Sequence, residues 1–227
     1  MSILEWLALL RPVYLDLNQT FSGLGKIIVD GDSLVHFVIS KVTVQSDPLS
    51  ELVHFQSLHV AYLVEKFIQL LGKINNEEIC IVFFNQLLEL YGGNEEHLAY
   101  RVFIESHVKS LAGRINSEES SISLRVLNFE NWWNDLKWKE FLYSQRISFI
   151  LAGDGEYSRG SWKKSEADYS NIPALFLKFI SSRGFHSASL NECLLVKTNK
   201  IYAFCIIPRV DEDALSEEDV NFLSSLQ

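Results

Sequence analysis

The chain has 227 residues, of which 48% are hydrophobic and 22% are charged, so its composition is that of a folded protein rather than of a disordered segment. Its 29 acidic and 20 basic side chains give a net charge of −9, which disfavours non-specific binding to nucleic acid, because phosphate contacts require a basic surface. No apolar run reaches the roughly 18 residues that cross a bilayer, and no small-residue cleavage site follows the first apolar stretch, so we expect neither membrane insertion nor secretion.

The first predicted elements are a helix and a strand that leads into a second helix. Residues 1–25 carry apolar side chains at helical spacing up to Pro12, which predicts a short helical lid on the main body. Residues 26–30 are predicted as a strand, with a short β-branched run that ends in the turn Asp30-Gly31-Asp32-Ser33. A strand followed by a glycine turn and a capping residue is typical of a buried parallel strand that feeds a helix.

The same alternation continues along the chain. The predicted helices are 50–74, about 95–112, 132–143 and 172–182. The predicted strands are 79–84, 122–127, 147–152, and a last group at 185–190, 194–196 and 201–207, whose final pair forms a hairpin around Thr198-Asn199. Because the central strands are apolar on both faces, the pattern predicts a three-layer α/β/α fold with a mostly parallel sheet. We place one domain at 1–209 and interpret 210–227 as an acidic tail or linker.

Acidic and amide side chains follow four of the predicted strands. They are Asp30 and Asp32, then Asn85 and Gln86, then Asn128 and Glu130, and finally Asp154 and Glu156. Ligands of open α/β sheets bind at these carboxyl ends, and a group of carboxylates is costly to assemble without a cation. The pattern predicts a Mg²⁺ or Mn²⁺ site, with Asp30, Asp32, Asp154 and Glu156 as ligands, that activates water for phosphodiester cleavage.

The same residues also have a structural explanation. Asp32 and Ser33 are favoured at the start of a helix, and Asp154-Gly155 is ordinary turn chemistry. The glycine turn after the first strand matches neither GxGxxG nor GxxxxGK[ST], so we predict no ATP site.

One predicted loop interleaves basic and aromatic residues close to the acidic ends of the strands. It contains Arg159, Trp162, Lys163 and Lys164, which could hold phosphates and stack a base of RNA. The alternative is an exposed polar loop with a tucked tryptophan. The Trp132-Trp133 pair and Trp138 are interpreted as the packing face of a helix, although an exposed patch there would suit a protein partner.

The distribution of charge along the chain changes what the net charge says about binding to nucleic acid. Six acids lie within 211–219, so residues 1–210 carry 20 basic and 23 acidic side chains. Contact with RNA then depends on a bound cation or on the basic loop.

Cys80, Cys193 and Cys205 are odd in number and fall in predicted strands, which is typical of reduced core thiols in a cytoplasmic protein.

Four short phrases occur in a characteristic order. They are IVDGDSL at 28–34, YLVEK at 62–66, IVFF at 81–84 and FILAGDG at 149–155. Together they resemble the N-terminal PIN-like region of the DExD/H-box helicase 60 family, the Ski2-like RNA helicases. The resemblance implies a PIN-like α/β fold in a cytoplasmic protein linked to antiviral sensing and RNA turnover. The 227 residues contain no helicase motor, so the resemblance implies a motor in a longer protein or a stand-alone relative.

The resemblance also implies roles for particular acids. PIN domains place an acid after the first strand, one on a following helix, and one or two after a later strand, around divalent cations. Asp30 matches the first position, Glu105 the helical position and Asp154 the later one, so these three are the candidate catalytic residues. Asn85 is neutral where related 5′-nucleases often have an acid. The resemblance therefore implies an RNA-associated or scaffolding domain with a degenerate metal site; an active Mg/Mn-dependent ribonuclease and a protein-interaction platform are the alternatives.

Overall fold

A computed structural model of the chain describes residue 6 and residues 11–44, 53–74, 78–90, 95–117, 122–153, 172–190, 195–197, 200–206 and 215–225. Its strands are β1 (Val13–Asp16), β2 (Lys26–Asp30), β3 (Ile79–Phe84), β4 (Leu124–Phe129), β5 (Ile147–Ala152), β6 (Ser187–Ser189), β7 (Leu195–Lys197) and β8 (Lys200–Ile206). Its helices are α1 (Leu17–Phe21), α2 (Gly31–Val44), α3 (Val53–Leu71), α4 (Leu87–Leu90), α5 (Glu95–Ser117), α6 (Leu136–Ser144), α7 (Ile172–Ser182) and α8 (Glu217–Ser225). None of these described helices is long and apolar enough to cross a membrane.

The described strands form one sheet with a parallel centre. Its spatial order is β1-β8-β6-β5-β2-β3-β4, and β7 pairs with β8. The five strands from β6 to β4 are parallel, whereas β8 runs antiparallel to β6, β1 and β7. Val29 of β2 lies opposite Ile81 of β3 on one side and Leu151 of β5 on the other. The winding of the chain reverses between β2 and β5, so the carboxyl ends of these two strands form the switch point at which such sheets bind ligands.

Two apolar cores lie on the two faces of the sheet, which confirms the predicted three layers. Successive residues of a central strand enter different cores, so that Phe83 packs in the first core and Phe84 in the second. The first core takes side chains from α2, α3 and α5, and the second takes them from α6, α7 and α8. Because both faces of the central strands are buried, the sequences of β2, β3 and β5 are apolar apart from the two ends of β2 and Ser148.

The predicted elements agree closely with the observed ones in the centre of the sheet. The ranges 26–30, 79–84, 147–152 and 172–182 agree residue for residue. The predicted hairpin is confirmed, since Lys197 of β7 pairs with Lys200 of β8. The helix predicted from 132 begins only at Leu136, because the Asp135 side chain accepts a hydrogen bond from the backbone N of Lys137 and caps the helix there.

The N-terminal segment differs from the helical lid predicted for residues 1–25. Residues 13–16 form the edge strand β1, in which Tyr14 lies opposite Phe204 of β8. The Tyr14 ring stacks on that of Tyr202 with 5.3 Å between centroids. Contacts of this kind between strands stabilise a sheet edge, and the apolar residues whose spacing predicts the helix precede Pro12. Trp6 is buried, and residues 1–5 and 7–10 lie outside the described part of the chain.

The C-terminal segment also differs from its prediction as an acidic tail or linker. Residues 217–225 form α8, whose Leu223 is buried in the second core. The helix begins with a reciprocal capping pair: the backbone N of Ser216 donates to Asp219 Oδ2 at 3.0 Å, and the backbone N of Asp219 donates to Ser216 Oγ at 3.2 Å. The prediction was wrong for this part because it weighed the acidic charge and overlooked the Ser-x-x-Asp capping pattern. Residues 207–214 lie outside the described ranges.

Two of the three cysteines are the buried core thiols that the sequence predicts. Cys80 and Cys205 are both buried free thiols. Burial, reinforced for Cys80 by Glu78, raises the pKa of each thiol to about 12, so neither is a reactive thiolate at neutral pH. Cys193 lies outside the described residues.

Candidate functional site

Asp30 ends β2 and caps α2 at the switch point of the sheet. Its Oδ2 accepts hydrogen bonds from the backbone N of Ser33, at 3.0 Å, and from Ser33 Oγ. Ser33 Oγ in turn accepts a hydrogen bond of 2.8 Å from the backbone N of Gly153, directly after β5. The residue that caps α2 is therefore Asp30, whereas the sequence favoured Asp32 and Ser33 at the start of this helix. The three residues tie together the two strand ends on either side of the switch point.

The environment of Asp30 favours its protonated form. Only 3% of the residue is exposed. Burial, and then the negative charge of Asp32, raise the pKa of Asp30 to about 7, while hydrogen bonds from Ser33 and the backbone N of Asp32 limit the rise. The carboxyl group therefore holds a proton in a large share of the molecules at neutral pH, and a cation bound to it would have to displace that proton.

Arg101 is a fully buried cation between two of the predicted site acids. Its Nε lies 3.1 Å from Asp32 Oδ1, and its Nη1 donates to Glu105 Oε2. Its Nη2 donates to the backbone O of Phe84 at 3.1 Å, and the guanidinium carbon lies 5.0 Å from the centroid of the Phe83 ring. The planar guanidinium thus joins α5 to α2 through Nε and to the end of β3 through Nη2, while Nη1 pairs with Glu105 on α5 itself.

Glu105 is held as an ionised carboxylate by the chain itself. In addition to the bond from Arg101, its Oε1 accepts hydrogen bonds from Lys109 Nζ at 2.6 Å and from Asn128 Nδ2 at 2.8 Å. Burial favours the neutral acid, but the hydrogen bonds from Lys109 and Asn128 and the charges of Arg101 and Lys109 outweigh it and hold the pKa of Glu105 below its ordinary value. Both carboxylate oxygens are engaged by donors of the protein.

The polar ends of β3 and β4 meet as the sequence predicts. Asn128 Nδ2 lies 3.5 Å from Asn85 Oδ1, and Asn85 Nδ2 donates to Glu130 Oε1 at 3.2 Å. The Gln86 side chain accepts a bond of 2.8 Å from Asn131 Nδ2. The amide and carboxylate side chains at this edge are therefore hydrogen-bonded to one another.

The predicted metal ligands are brought together only in part. Asp30 and Asp32 share the carboxyl edge with Glu105, but Asp32 and Glu105 are joined through Arg101. Among the described residues, no group of three His, Cys, Asp or Glu side chains is arranged to hold a metal ion. The remaining site residues that the sequence predicts lie outside the described ranges. They are Asp154, Glu156, Arg159, Trp162, Lys163 and Lys164.

Sequence reasoning missed Arg101, although the chain carries a signal for it. Arg101 precedes Glu105 by one helical turn, and with Ile104 and Val108 it continues the buried stripe of α5. A basic residue on the apolar stripe of a helix indicates a buried cation that requires acids nearby. This signal, together with the acids at the strand ends, predicts an ion pair as readily as a metal site.

Trp132, Trp133 and Trp138 do not form the exposed patch that an interaction platform would need. Trp132 is buried, with its ring centroid 5.5 Å from that of Phe176, and Trp138 is buried against Phe84 at 5.2 Å. Trp133, in edge-on contact with Trp132, is only half-buried. The pair precedes α6 rather than forming its face.

The glycine between the two acids allows a close approach of the chain to a ring. A Cβ at Gly31 would lie 2.5 Å from Phe83 Cε1, so Gly31→Ala is expected to lower the free energy of unfolding by about 1–3 kcal/mol. Gly113, in α5, has open space around it. Gly113→Ala is therefore expected to raise stability by about 0.5–1 kcal/mol. Urea denaturation of both variants checks the prediction, which is contradicted if the two changes have the same sign.

Asp30→Asn is expected to make the protein more stable than the wild type as the pH rises. The folded-state pKa of Asp30 is about 7 against an ordinary 3.8, so the native state binds the extra proton and stability falls between these two pH values. Asparagine keeps the cap but has no proton to lose, so the difference in unfolding free energy should grow by at most about 1.4 kcal/mol per pH unit and level off above the folded pKa.

Denaturation of both proteins from pH 4 to pH 8.5 measures this difference, with Asp135→Asn at the cap of α6 as the control. A stability difference that does not change with pH contradicts the assignment of the raised pKa to Asp30.

Comparison with known proteins identifies a family. The family model described as ATP-dependent RNA helicase DDX60, PIN-like domain, matches residues 3–160, which cover the strands from β1 to β5 and the acids Asp30, Asp32 and Glu105 with Arg101. No curated protein and no solved structure gives a match. The match confirms the resemblance found in the sequence. With over two thirds of its length covered by that model, the chain belongs to the PIN-like domain family of the ATP-dependent RNA helicase DDX60.

Proposed function

We propose that the chain is an RNA-associated or scaffolding PIN-like module with a degenerate metal site that does not cleave RNA. The single observation that carries this proposal is the buried guanidinium of Arg101 between Asp32 and Glu105. It supplies at this edge of the sheet the positive charge that a divalent cation would otherwise supply. The two carboxylates then have a structural role: Asp32 fastens α2 to α5, and Glu105 holds the guanidinium from its own helix.

Electrostatics favour Arg101 over a cation at these acids. Two unit positive charges about 4 Å apart repel each other by roughly 4 kcal/mol at the effective dielectric of a protein site, and a divalent ion doubles that figure. Arg101 is 0% exposed, so solvent screens the repulsion little. A cation that shared Asp32 or Glu105 with the guanidinium would therefore bind weakly.

The family supports the association with RNA. The matching domain belongs to an RNA helicase, so a helicase motor in the same longer protein or in a partner is the proposed neighbour of this module. A cytoplasmic location, a part in antiviral sensing or RNA turnover, and protein partners follow from the same resemblance and belong to the proposal.

Cleavage of single-stranded RNA in the presence of Mn²⁺ tests the absence of nuclease activity. The wild type is expected to cleave no faster than Asp30→Asn or Asp154→Asn. Thermal unfolding with Mn²⁺ is the second measurement, and the wild type should gain no more in Tm than Asp30→Asn, because a cation bound to the native state alone would stabilise it. Mn²⁺-dependent cleavage that both substitutions abolish would establish the active ribonuclease instead.

The basic loop that the sequence predicts as an RNA contact has its own test. A salt titration of RNA binding should show weaker affinity and a smaller salt dependence for the double substitution Lys163→Ala/Lys164→Ala than for the wild type. Unchanged affinity would remove this loop from the RNA-binding surface.

A further inference from the structure

Three neighbouring loops at the amino ends of the parallel strands carry an excess of basic side chains. They are residues 22–26 before β2, 143–147 before β5 and 183–186 before β6, and together they form what we call the amino-edge surface. The loops contain Lys26, Arg146, Arg183 and His186 and, by sequence, no Asp or Glu. Arg146, Arg183 and His186 are exposed. In a chain with a net charge of −9, this is a local reversal of sign.

The first two loops are fixed to each other by direct contacts. The backbone N of Lys26 donates to the backbone O of Arg146 at 2.8 Å, and Lys26 Nζ donates to Gln145 Oε1 at 2.8 Å. Gly25 has φ +127°, and a Cβ at that position would lie 2.3 Å from the backbone O of Arg146. The backbone that carries Lys26 and Arg146 is therefore closely packed, and the first two loops form one continuous surface.

Aromatic rings connect the third loop to the other two. Tyr143, at the end of α6, lies 5.8 Å from Phe185, and Phe21, just before the first loop, lies 5.7 Å from the His186 ring. Tyr143 remains 62% exposed, and the Arg183 guanidinium lies 5.4 Å above the Phe179 ring. An exposed ring among cations is the combination by which proteins stack a base and hold its phosphates.

The amino-edge surface lies at the end of the sheet opposite the acids of the switch point. Parallel strands of five or six residues separate the two edges by roughly 17–20 Å. Two acids of the described residues adjoin this surface: Glu78, which lies 3.0 Å from Lys26 and 4.0 Å from Arg125, and Glu140, one turn before Tyr143 in α6. Lys26 and Arg125 offset the charge of Glu78, so basic side chains predominate among the described residues of this surface.

We infer that the amino-edge surface binds single-stranded RNA, with Arg146 and Arg183 on phosphates and Tyr143 stacked on a base. The inference rests on the proposed association with RNA and places the contact away from the acids of the switch point. It also explains how a chain with an overall negative charge can bind a polyanion, because the contact is made where basic side chains predominate, away from the acids of the switch point.

Binding of a fluorescein-labelled oligouridylate to the full chain, measured by anisotropy over a range of salt, tests the inference. Arg146→Gln/Arg183→Gln should weaken binding by about tenfold or more at low salt and reduce the slope of log K against log salt by about 1.4, or about 0.7 for each lost phosphate contact. Tyr143→Ala should weaken binding by about 5–100-fold.

Matched variants on another face serve as controls. Lys41→Gln/Lys66→Gln removes two exposed cations that lie over the rings of Phe37 and Tyr62, and Tyr62→Ala removes an exposed tyrosine. These variants should bind as the wild type does. Thermal unfolding of every variant shows whether it is folded before its affinity is compared.

The outcomes separate this inference from the proposed function. If the wild type binds the oligouridylate and the amino-edge variants bind equally well, the inference is wrong while the association with RNA stands. If the wild type does not bind at low salt, this inference and the proposed association with RNA are both wrong. If polyglutamate of similar charge competes as well as RNA, the surface recognises an acidic polypeptide and the stacking role of Tyr143 is overturned.

Discussion

Arg101→Met is expected to lower the free energy of unfolding by about 3–5 kcal/mol. Methionine fills much of the same space but leaves Asp32, which is 4% exposed, as a buried carboxylate beside Asp30 without its guanidinium. Glu105 suffers less, because Lys109 and Asn128 still donate to it. Removing one partner of a buried pair is costly for this reason, even where the intact pair contributes little.

Three further variants isolate the charge from the packing. The double variant Arg101→Met/Asp32→Asn should recover part of the loss, because the remaining group is neutral. Arg101→Lys keeps the charge without the planar fork and should lie between wild type and methionine. Arg114→Met, on the same helix as Arg101, removes an exposed pair with Glu65 of α3 and should cost less than about 1 kcal/mol. Urea denaturation measures all four, and a stable Arg101→Met protein would show that Arg101 does not lock these acids.

Asp219→Ala is expected to cost about 3 kcal/mol and to release α8 from the domain. Asp219 Oδ2 accepts a bond of 2.8 Å from Lys178 Nζ, and the Lys178 side chain is only 4% exposed. The substitution therefore removes the charge partner of a buried ammonium group and also half of the capping pair with Ser216. Ser216→Ala, which removes only its part of the cap, should cost about 1 kcal/mol.

The same contact makes the docking of α8 sensitive to acid. Burial favours the neutral acid, but the bonds from Lys178 and Ser216 prevail and hold the pKa of Asp219 below its ordinary 3.8. The stability that Asp219 contributes is thus present above pH 3.8 and is lost as the pH falls through the lowered folded-state value, which is the opposite sign to Asp30.

Limited proteolysis should cut Asp219→Ala within 215–225 at neutral pH and spare the wild type; equal protection of both contradicts the prediction.

The centre of the fold could be predicted because the sequence of each central strand reflects its burial on both faces. The run at 79–84 is apolar at every position, and the run at 147–152 is interrupted by Ser148, whose Oγ donates to the backbone O of Phe21; only a strand buried on both faces requires such a run. The edges could not be predicted in this way. Strand β1 exists because Tyr14 meets Tyr202 nearly 190 residues further along the chain, and no local pattern contains that contact.

The candidate site was predictable to the same depth. Asp30 and the polar ends of β3 and β4 could be placed at one edge, because the end of a strand can be located from sequence and parallel strands end together. The partner of Asp32 could not be assigned, since it depends on how α5 packs across α2. The contributions of Asp154, Glu156 and the basic loop to a site stay predictions.

The separation of the two cores by the sheet determines what a fluorescence measurement reports. Trp6, Trp132 and Trp138 are buried in the second core and Trp133 packs against it, so all four tryptophans of the described residues lie on the α6–α8 side. Arg101 contacts Phe83, which belongs to the first core. Emission from these indoles therefore reports on the α6–α8 layer, which Arg101 reaches through its hydrogen bond to the backbone O of Phe84, the ring neighbour of Trp138. Coincidence of the emission curve with far-ultraviolet circular dichroism would show that this layer unfolds with the rest of the domain as one cooperative unit.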